Sequence, residues 1–188
     1  SWLRGLREEG FAHFERLGWP TRRHEEWKYT STKELQAQCF ELSTPAAPVD
    51  TAALDAVRVG GAIELVFVDG LFRPELSRQK RSPAGVTIEI LAGEPDARQC
   101  EWLRPLQGND SMFAGLNAAL FQDSLLVDVA LKSVCEPLIH IIHLFSQTAG
   151  QAMAFPRQTI RVGRSAQAAL LQTLISGNAA STLLDAVT

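Results

Sequence analysis

The chain has 188 residues, 46% of them apolar and 21% charged, with a net charge of −3. That length holds one domain of ordinary size, or a small helical piece joined to a larger sheet piece. Basic residues are mixed with acidic ones throughout, which excludes the cationic stripe a nucleic-acid backbone requires, and no apolar run reaches the length of a membrane-spanning helix. Cys39, Cys100 and Cys135 are odd in number and scattered, a pattern of reduced thiols in a cytoplasmic protein rather than a disulfide framework.

Over residues 2–17, Leu3, Leu6, Phe14 and Leu17 recur at near-helical spacing with Arg7, Glu8, Glu9 and Arg16 on other faces, predicting an amphipathic helix. Gly18 in the left-handed conformation, followed by Pro20, is expected to end it. Gly10 costs such a helix about 1 kcal/mol relative to alanine, so it must rely on packing.

Residues 20–35 come next, and in them Arg22, Arg23, His24, Glu25, Glu26, Trp27, Lys28 and Tyr29 crowd cations, acids and rings together. Trp27 and Tyr29 are expected to bury their rings against the first helix while Arg22 or Arg23 bonds to Glu25 or Glu26. The alternative is a partner-binding patch, because aromatic and arginine side chains are the usual interface anchors. His24-Glu25-Glu26-Trp27-Lys28 begins like a zinc-protease helix, but Lys28 stands where the second histidine ligand is needed and repels the ion. Ser31 and Glu34 predict a capping box before a short helix through 35–38. Residues 43–48, with Pro45 and Pro48, read as a linker, and 51–57 as another helical turn or two.

The period changes at Ile63. Residues 63–68 are β-branched and aromatic, Asp69-Gly70 signals a two-residue turn, and Leu71-Phe72 returns as a paired strand. Residues 86–91 give a third strand, and 93–108 a polar, proline-interrupted connection. Asn109, Asp110 and Ser111 offer N-caps for a helix with Phe113, Leu116 and Leu120 on one stripe, ending near Gln122. Beyond it the apolar runs 125–130, 138–145, 158–162 and 168–175, broken at Lys132-Ser133, Ala149-Gly150, Gly163 and Gly177, predict strands without crossover helices. A sandwich, a barrel and a β-solenoid all fit such a series.

His140 and His143 stand three apart in one of these strands, on opposite faces, so they cannot chelate one ion; one is expected to point inward and the other outward. Cys39 and Cys135 lie in apolar contexts and read as structural thiols, with Cys100 more exposed. The sequence has neither a phosphate-binding Gly-x-x-x-x-Gly-Lys-Ser/Thr loop nor a Gly-x-Ser-x-Gly elbow, and nothing in it points to a stand-alone catalyst.

Arg22, Glu25, Trp27, Lys28, Tyr29 and Thr30 together resemble the Arg-x-x-Glu-x-Trp-Lys-Tyr-Thr signature near the start of the SufB and SufD family, scaffolds of iron–sulfur cluster assembly. Residues 65–70 are similar to the family's strand ending in a Val-Asn/Asp-Gly turn, and Leu116-Asn117-Ala118-Ala119 to its Leu-Asn helix, in the same order and spacing. Ser124 stands where the family more often has glycine, and the compact opening lies nearer the SufD side. The resemblance implies a helical N-terminal part, a right-handed parallel β-helix and a C-terminal helical part that docks the SufC ATPase.

On that reading residues 1–58 are the helical region carrying the motif, 59–122 the strands and capping helix, and 123–188 the opening rungs of a truncated β-helix. Partners would be SufB-like and SufC-like subunits, met through a longer parent that handles the iron–sulfur cluster; the motif residues would be structural or partner-binding, and the resemblance places no catalytic, cofactor-binding or metal-binding residue here. Ser1 in place of an initiator methionine, and a last stretch without turn or cap signals, lead to the expectation of a fragment. A solenoid cut at Thr188 would expose strand edges and either self-associate, as a homodimer through those edges, or lose order there. The rival readings are a carbohydrate-active β-helix enzyme, against which the sparse acids Asp128 and Glu136 count, and a generic β-solenoid interaction module.

Overall fold

The computed structural model describes residues 1–42, 49, 51–78, 81–103, 111–145, 152–176 and 182–187. Helix α1, Trp2–Leu17, starts at Ser1, whose hydroxyl accepts the Arg4 amide proton at 3.2 Å and donates to the Glu94 carboxylate. It stops at Gly18, whose amide donates to Phe14 O at 2.8 Å. The Gly18 φ of 65° is positive, but its ψ of −178° lies outside the left-handed helical well that the sequence suggested.

Gly10 faces Gly115 of helix α5, Met112–Leu120. A Cβ on Gly10 would stand 2.7 Å from Gly115 O and 2.9 Å from Ala118 Cβ, and one on Gly115 would stand 2.8 Å from Gly10 O. The helices therefore cross backbone to backbone, which offsets the propensity cost of Gly10. Between them run a 3-10 turn, Glu25–Trp27, and the short helices α2, Lys33–Gln36, α3, Thr51–Val57, and α4, Ala97–Leu103. The cap of α2 is Thr32, one residue beyond the expected Ser31. Thr32 is buried and binds both Pro20 O and Gln36 Nε2, so it enters the turn first, while Ser31 Oγ accepts only from the Lys33 amide.

The expected strands form as β2, Ile63–Val68, β3, Leu71–Phe72, β4, Val86–Leu91, β5, Ser124–Val129, β6, Val134–Phe145, β8, Arg157–Val162, and β9, Gln167–Ser176. The β2–β3 turn has positive φ at Asp69 (52°) and Gly70 (86°), the pair a tight hairpin turn demands. Three short strands lie outside the sequence reading: β1, Glu41–Leu42, β7, Ala152–Ala154, and β10, Thr182–Leu184. Part of the expected 93–108 connection is helix α4, which buries Trp102 and Leu103 at its last turn. Its polar first turn hides it from a periodicity search. The expected linker at 43–48, the caps Asn109 and Asp110, and the breaks at 149–150 and 177 lie outside the described residues.

The strands make three sheets, ordered β1-β7-β10, β3-β2-β6-β9 and β4-β5-β8. Among the described residues, each strand from β5 to β7 pairs in parallel with the third strand after it: β5 with β8, β6 with β9, β7 with β10. The opening strands β1 and β2 add in parallel to β7 and β6, whereas β4 runs antiparallel to β5.

The second and third sheets enclose Leu65, Phe67, Leu125, Val127, Val129, Ile139 and Ile141. On the far side of β4-β5-β8 helices α1, α4 and α5 pack Leu3, Leu6, Trp102, Leu103 and Leu116 onto Leu91 and Leu126. On the far side of β2-β6, Leu54 of α3 packs on Val66, Val68, Ile142 and Leu144. Both sheets are covered twice, which is why β2, β5 and β6 are continuous apolar runs rather than alternating ones. No described helix is long and apolar enough to cross a membrane.

The two ends of this stack differ. The outer edge of β2 is occupied: Arg73 N donates to Val66 O, Arg78 N to Glu64 O, Glu64 N to Arg78 O, and Val66 N to Ser77 Oγ. Glu64, fully buried, accepts from Arg58 and from Val59 N, and Arg58 also donates to Asp55 and Leu76 O. At the other end β8, β9 and β10 are the last strands of their sheets, and Val162, Leu170 and Leu174, in register with core residues Val129, Ile139 and His143, are exposed.

Gly10→Ala is expected to destabilise the fold by about 1–3 kcal/mol through overpacking. Gly5→Ala, in the same helix with open space around it, is expected to stabilise by up to about 1 kcal/mol. Urea unfolding of both variants measures the opposite signs.

Candidate partner-binding surface

Residues 20–32 form a loop closed at its base, where Thr32 Oγ1 donates to Pro20 O at 2.9 Å. Inside it His24 Nδ1 accepts from the Thr21 amide at 2.9 Å, and the 3-10 turn Glu25–Trp27 is held by Trp27 N donating to His24 O. The Trp27 ring lies on Phe113 of α5 with centroids 5.3 Å apart, and Trp19 meets both Phe113 and Phe14 edge-on. This row of rings ties the loop to both helices of the glycine crossing.

The structure corrects the expected arrangement of the motif. Trp27 is half-buried against α5 rather than α1, and Tyr29 is 89% exposed, with the Lys28 ammonium 5.6 Å from its ring centroid. The ion pair is Glu25 with Lys28, at 3.8 Å, while Arg22, Arg23 and Thr30 stand exposed. In a 3-10 turn residues three apart eclipse, which pairs Glu25 with Lys28, and residues two apart diverge, which sends Tyr29 away from the face Trp27 uses. The loop is thus anchored by one ring and displays a tyrosine and arginines, the side chains that dominate protein interfaces.

The histidines also depart from expectation. His140 and His143 do lie on opposite faces of β6, but both are buried, because both faces of that sheet are covered. His140 Nε2 meets Thr173 Oγ1 at 2.8 Å, and His143 Nε2 meets Gln158 Nε2 at 2.8 Å; neither Nδ1 has a partner. Burial pushes the His143 pKa down to about 4. Burial also lowers that of His140, with Glu64 opposing and Arg58 assisting. Cys39 is exposed rather than packed, since the strand after it lies at the surface, whereas Cys135 is buried and its thiol is pushed up by desolvation. Among the described residues no three His, Cys, Asp or Glu side chains converge as a metal site.

A buried polar node joins the helices to the sheets. Asn117 Nδ2 donates to Pro156 O and Asp185 O, its Oδ1 accepts from Arg157, and Arg157 also donates to Leu103 O above the Phe121 ring. Ser124 Oγ donates to Arg157 O at 3.1 Å, so the hydroxyl at the position of the family's usual glycine is used. Only Asn117 was visible beforehand, through the Leu-Asn pair; Arg157 and Asp185 carry no motif.

Residues 1–141, which span the loop, the glycine crossing and the strands into β6, match the family model for the SufBD protein N-terminal region. The chain belongs to the SufBD family. It is 30% identical over 176 residues to the iron–sulfur cluster assembly protein SufD of Escherichia coli K12, an alignment covering 87% of this chain and 37% of that protein. It is 28% identical over 159 residues to an iron–sulfur cluster assembly SufBD family protein of Synechocystis, covering 82% of this chain and 35% of the relative. The chain thus spans little more than a third of the length of these SufBD relatives.

Trp27→Ala is expected to cost about 1–2 kcal/mol, the half-buried share of a large aromatic truncation, whereas Tyr29→Ala stays within about 0.5 kcal/mol; chemical denaturation distinguishes them. For His143 the folded state prefers the neutral ring. As pH falls from 6.5 to about 4 the unfolded chain takes up a proton at this position that the folded chain refuses, so the His143 contribution to stability declines across that window, while the raised Asp185 pKa contributes in the opposite sense. His143→Gln is expected to lack this contribution, so in melting curves from pH 7 to pH 4 the variant gains stability relative to the unmodified chain as pH falls.

Proposed function

We propose that this chain serves as the N-terminal part of a non-enzymatic scaffold subunit in iron–sulfur cluster assembly, of the SufD type. The observation that carries the reading is the family match over residues 1–141, which takes in the displayed loop and the first strands. The cluster is the cargo of the whole assembly, and this part of the scaffold supplies shape and docking rather than cluster ligands. Its partners are a SufB-type scaffold and a SufC-type ATPase, and its location is the cytoplasm.

The parallel pairing of β5, β6 and β7 each with the third strand after it supports a β-helix of three strands per turn, right-handed as parallel crossover connections almost always are. The exposed Val162, Leu170 and Leu174 are then the floor on which further turns stack. The occupied edge of β2 is the closed front, and the 20–32 loop on its helical cap is the surface offered to a partner.

The test is co-purification of the tagged chain, and of any longer protein its gene encodes, with the SufB-type and SufC-type proteins of the same genome. Recovery of both with the longer protein is expected, weakened at least several-fold by Arg22→Glu combined with Tyr29→Ala if the loop is the docking surface. A longer protein that ignores the ATPase and cleaves polysaccharide would overturn the reading.

A further inference from the structure

The segment 182–187 lies in parallel beside residues 152–158. Strand β10 pairs with β7, Asp185 N donates to Ala154 O, Val187 N to Pro156 O, and Gln158 N to Val187 O. Where this segment meets α5, Asp185 is buried, and its carboxylate Oδ2 has no hydrogen-bond partner. Of the donors around it, Asn117 Nδ2 binds Pro156 O and the main-chain oxygen of Asp185, and the Arg157 guanidinium donates instead to Asn117 Oδ1 and Leu103 O.

Arg157 from β8 is the cation that acts on Asp185, and Arg7 of α1 lies at the same Phe121 ring, 6.0 Å from its centroid. Helix α5 presents Asn117 and β7 presents only apolar residues and backbone. An ionised Asp185 therefore sits in a largely desolvated site with one nearby cation and no donor to Oδ2, and such a charge is costly.

We propose that residues 182–187 form a proton-linked latch, docked along 152–158 while Asp185 carries its proton and released when the carboxyl gives that proton to solvent. Burial outweighs the pull of Arg157 and raises the Asp185 pKa from 3.8 to about 7, which puts the change at neutral pH. Release uncovers the Asn117–Arg157 node and the β7 edge, so the latch controls access to the junction between the helical cap and the sheets. The latch stands on the geometry of this node and not on the family reading, so either can fail alone.

Hydrogen exchange of the whole chain, corrected for intrinsic chemical rates, tests it. For a carboxyl with these two pKa values, opening becomes about tenfold more favourable between pH 6 and pH 8. Protection at the Asp185, Val187 and Gln158 amides is expected to fall by that factor, with the amides of β6 unchanged and with Asp185→Asn flat across the range. An equal fall in Asp185→Asn, or no fall in the unmodified chain, overturns the latch. Carbon-13 titration of the Asp185 carboxyl decides independently of the variant: a midpoint near 7 is expected, and one below 5 sinks the proposal.

Discussion

Backbone hydrogen bonding at the outer edge of β2 closes that side of the four-stranded sheet. A sheet edge is a row of unpaired donors and acceptors that any other strand can use. Here the hairpin strand β3 and residues 73–78 consume that row, and Ser77 Oγ takes the one amide, that of Val66, that no backbone carbonyl reaches. The buried Glu64 carboxylate fixes the closure by drawing in Arg58, which in turn grips Asp55 and Leu76 O. Arg78 stands 3.7 Å from the same carboxylate, so the segment around the edge is held by electrostatics as well as by pairing.

The helical layer solves a different problem, that of covering the outer face of β4-β5-β8. Two helices share that face only by crossing closely, and Gly10 against Gly115 permits the approach. The Asn117–Arg157 node then locks α5 to the start of β8 with bonds that have directions, where apolar packing alone would tolerate sliding. The row of rings from Phe14 through Trp19 and Phe113 to Trp27 carries this rigidity outward to the 20–32 loop. Beyond that anchor Tyr29 and Arg22 stand exposed at the surface.

The long elements were legible in the sequence because each carries a periodicity or a turn of its own. Helix α1, the β2–β3 hairpin, β4, α5 and the strands β5, β6, β8 and β9 are all written in local pattern, as is Gly18 at the end of the first helix. The short strands β1, β7 and β10 have no such signature, since two or three residues become strand only when a neighbour supplies the pairing. Helix α4 was hidden for a related reason: its apolar residues gather at one end.

The candidate surface divides in the same way. The motif itself stands in the sequence, but the positions of Trp27 and Tyr29 depend on a 3-10 turn whose geometry no residue pattern announces. The two histidines show the limit most clearly. Alternation put them on opposite faces of β6, and only the covering of both faces by other elements buried the pair. Sequence alone thus determined the long elements, the hairpin turn and the family, because these rest on residues a few positions apart. The parallel strand pairing and the Asn117–Arg157–Asp185 node were decided by tertiary structure, because each needs backbone or charge from residues about thirty or more positions away.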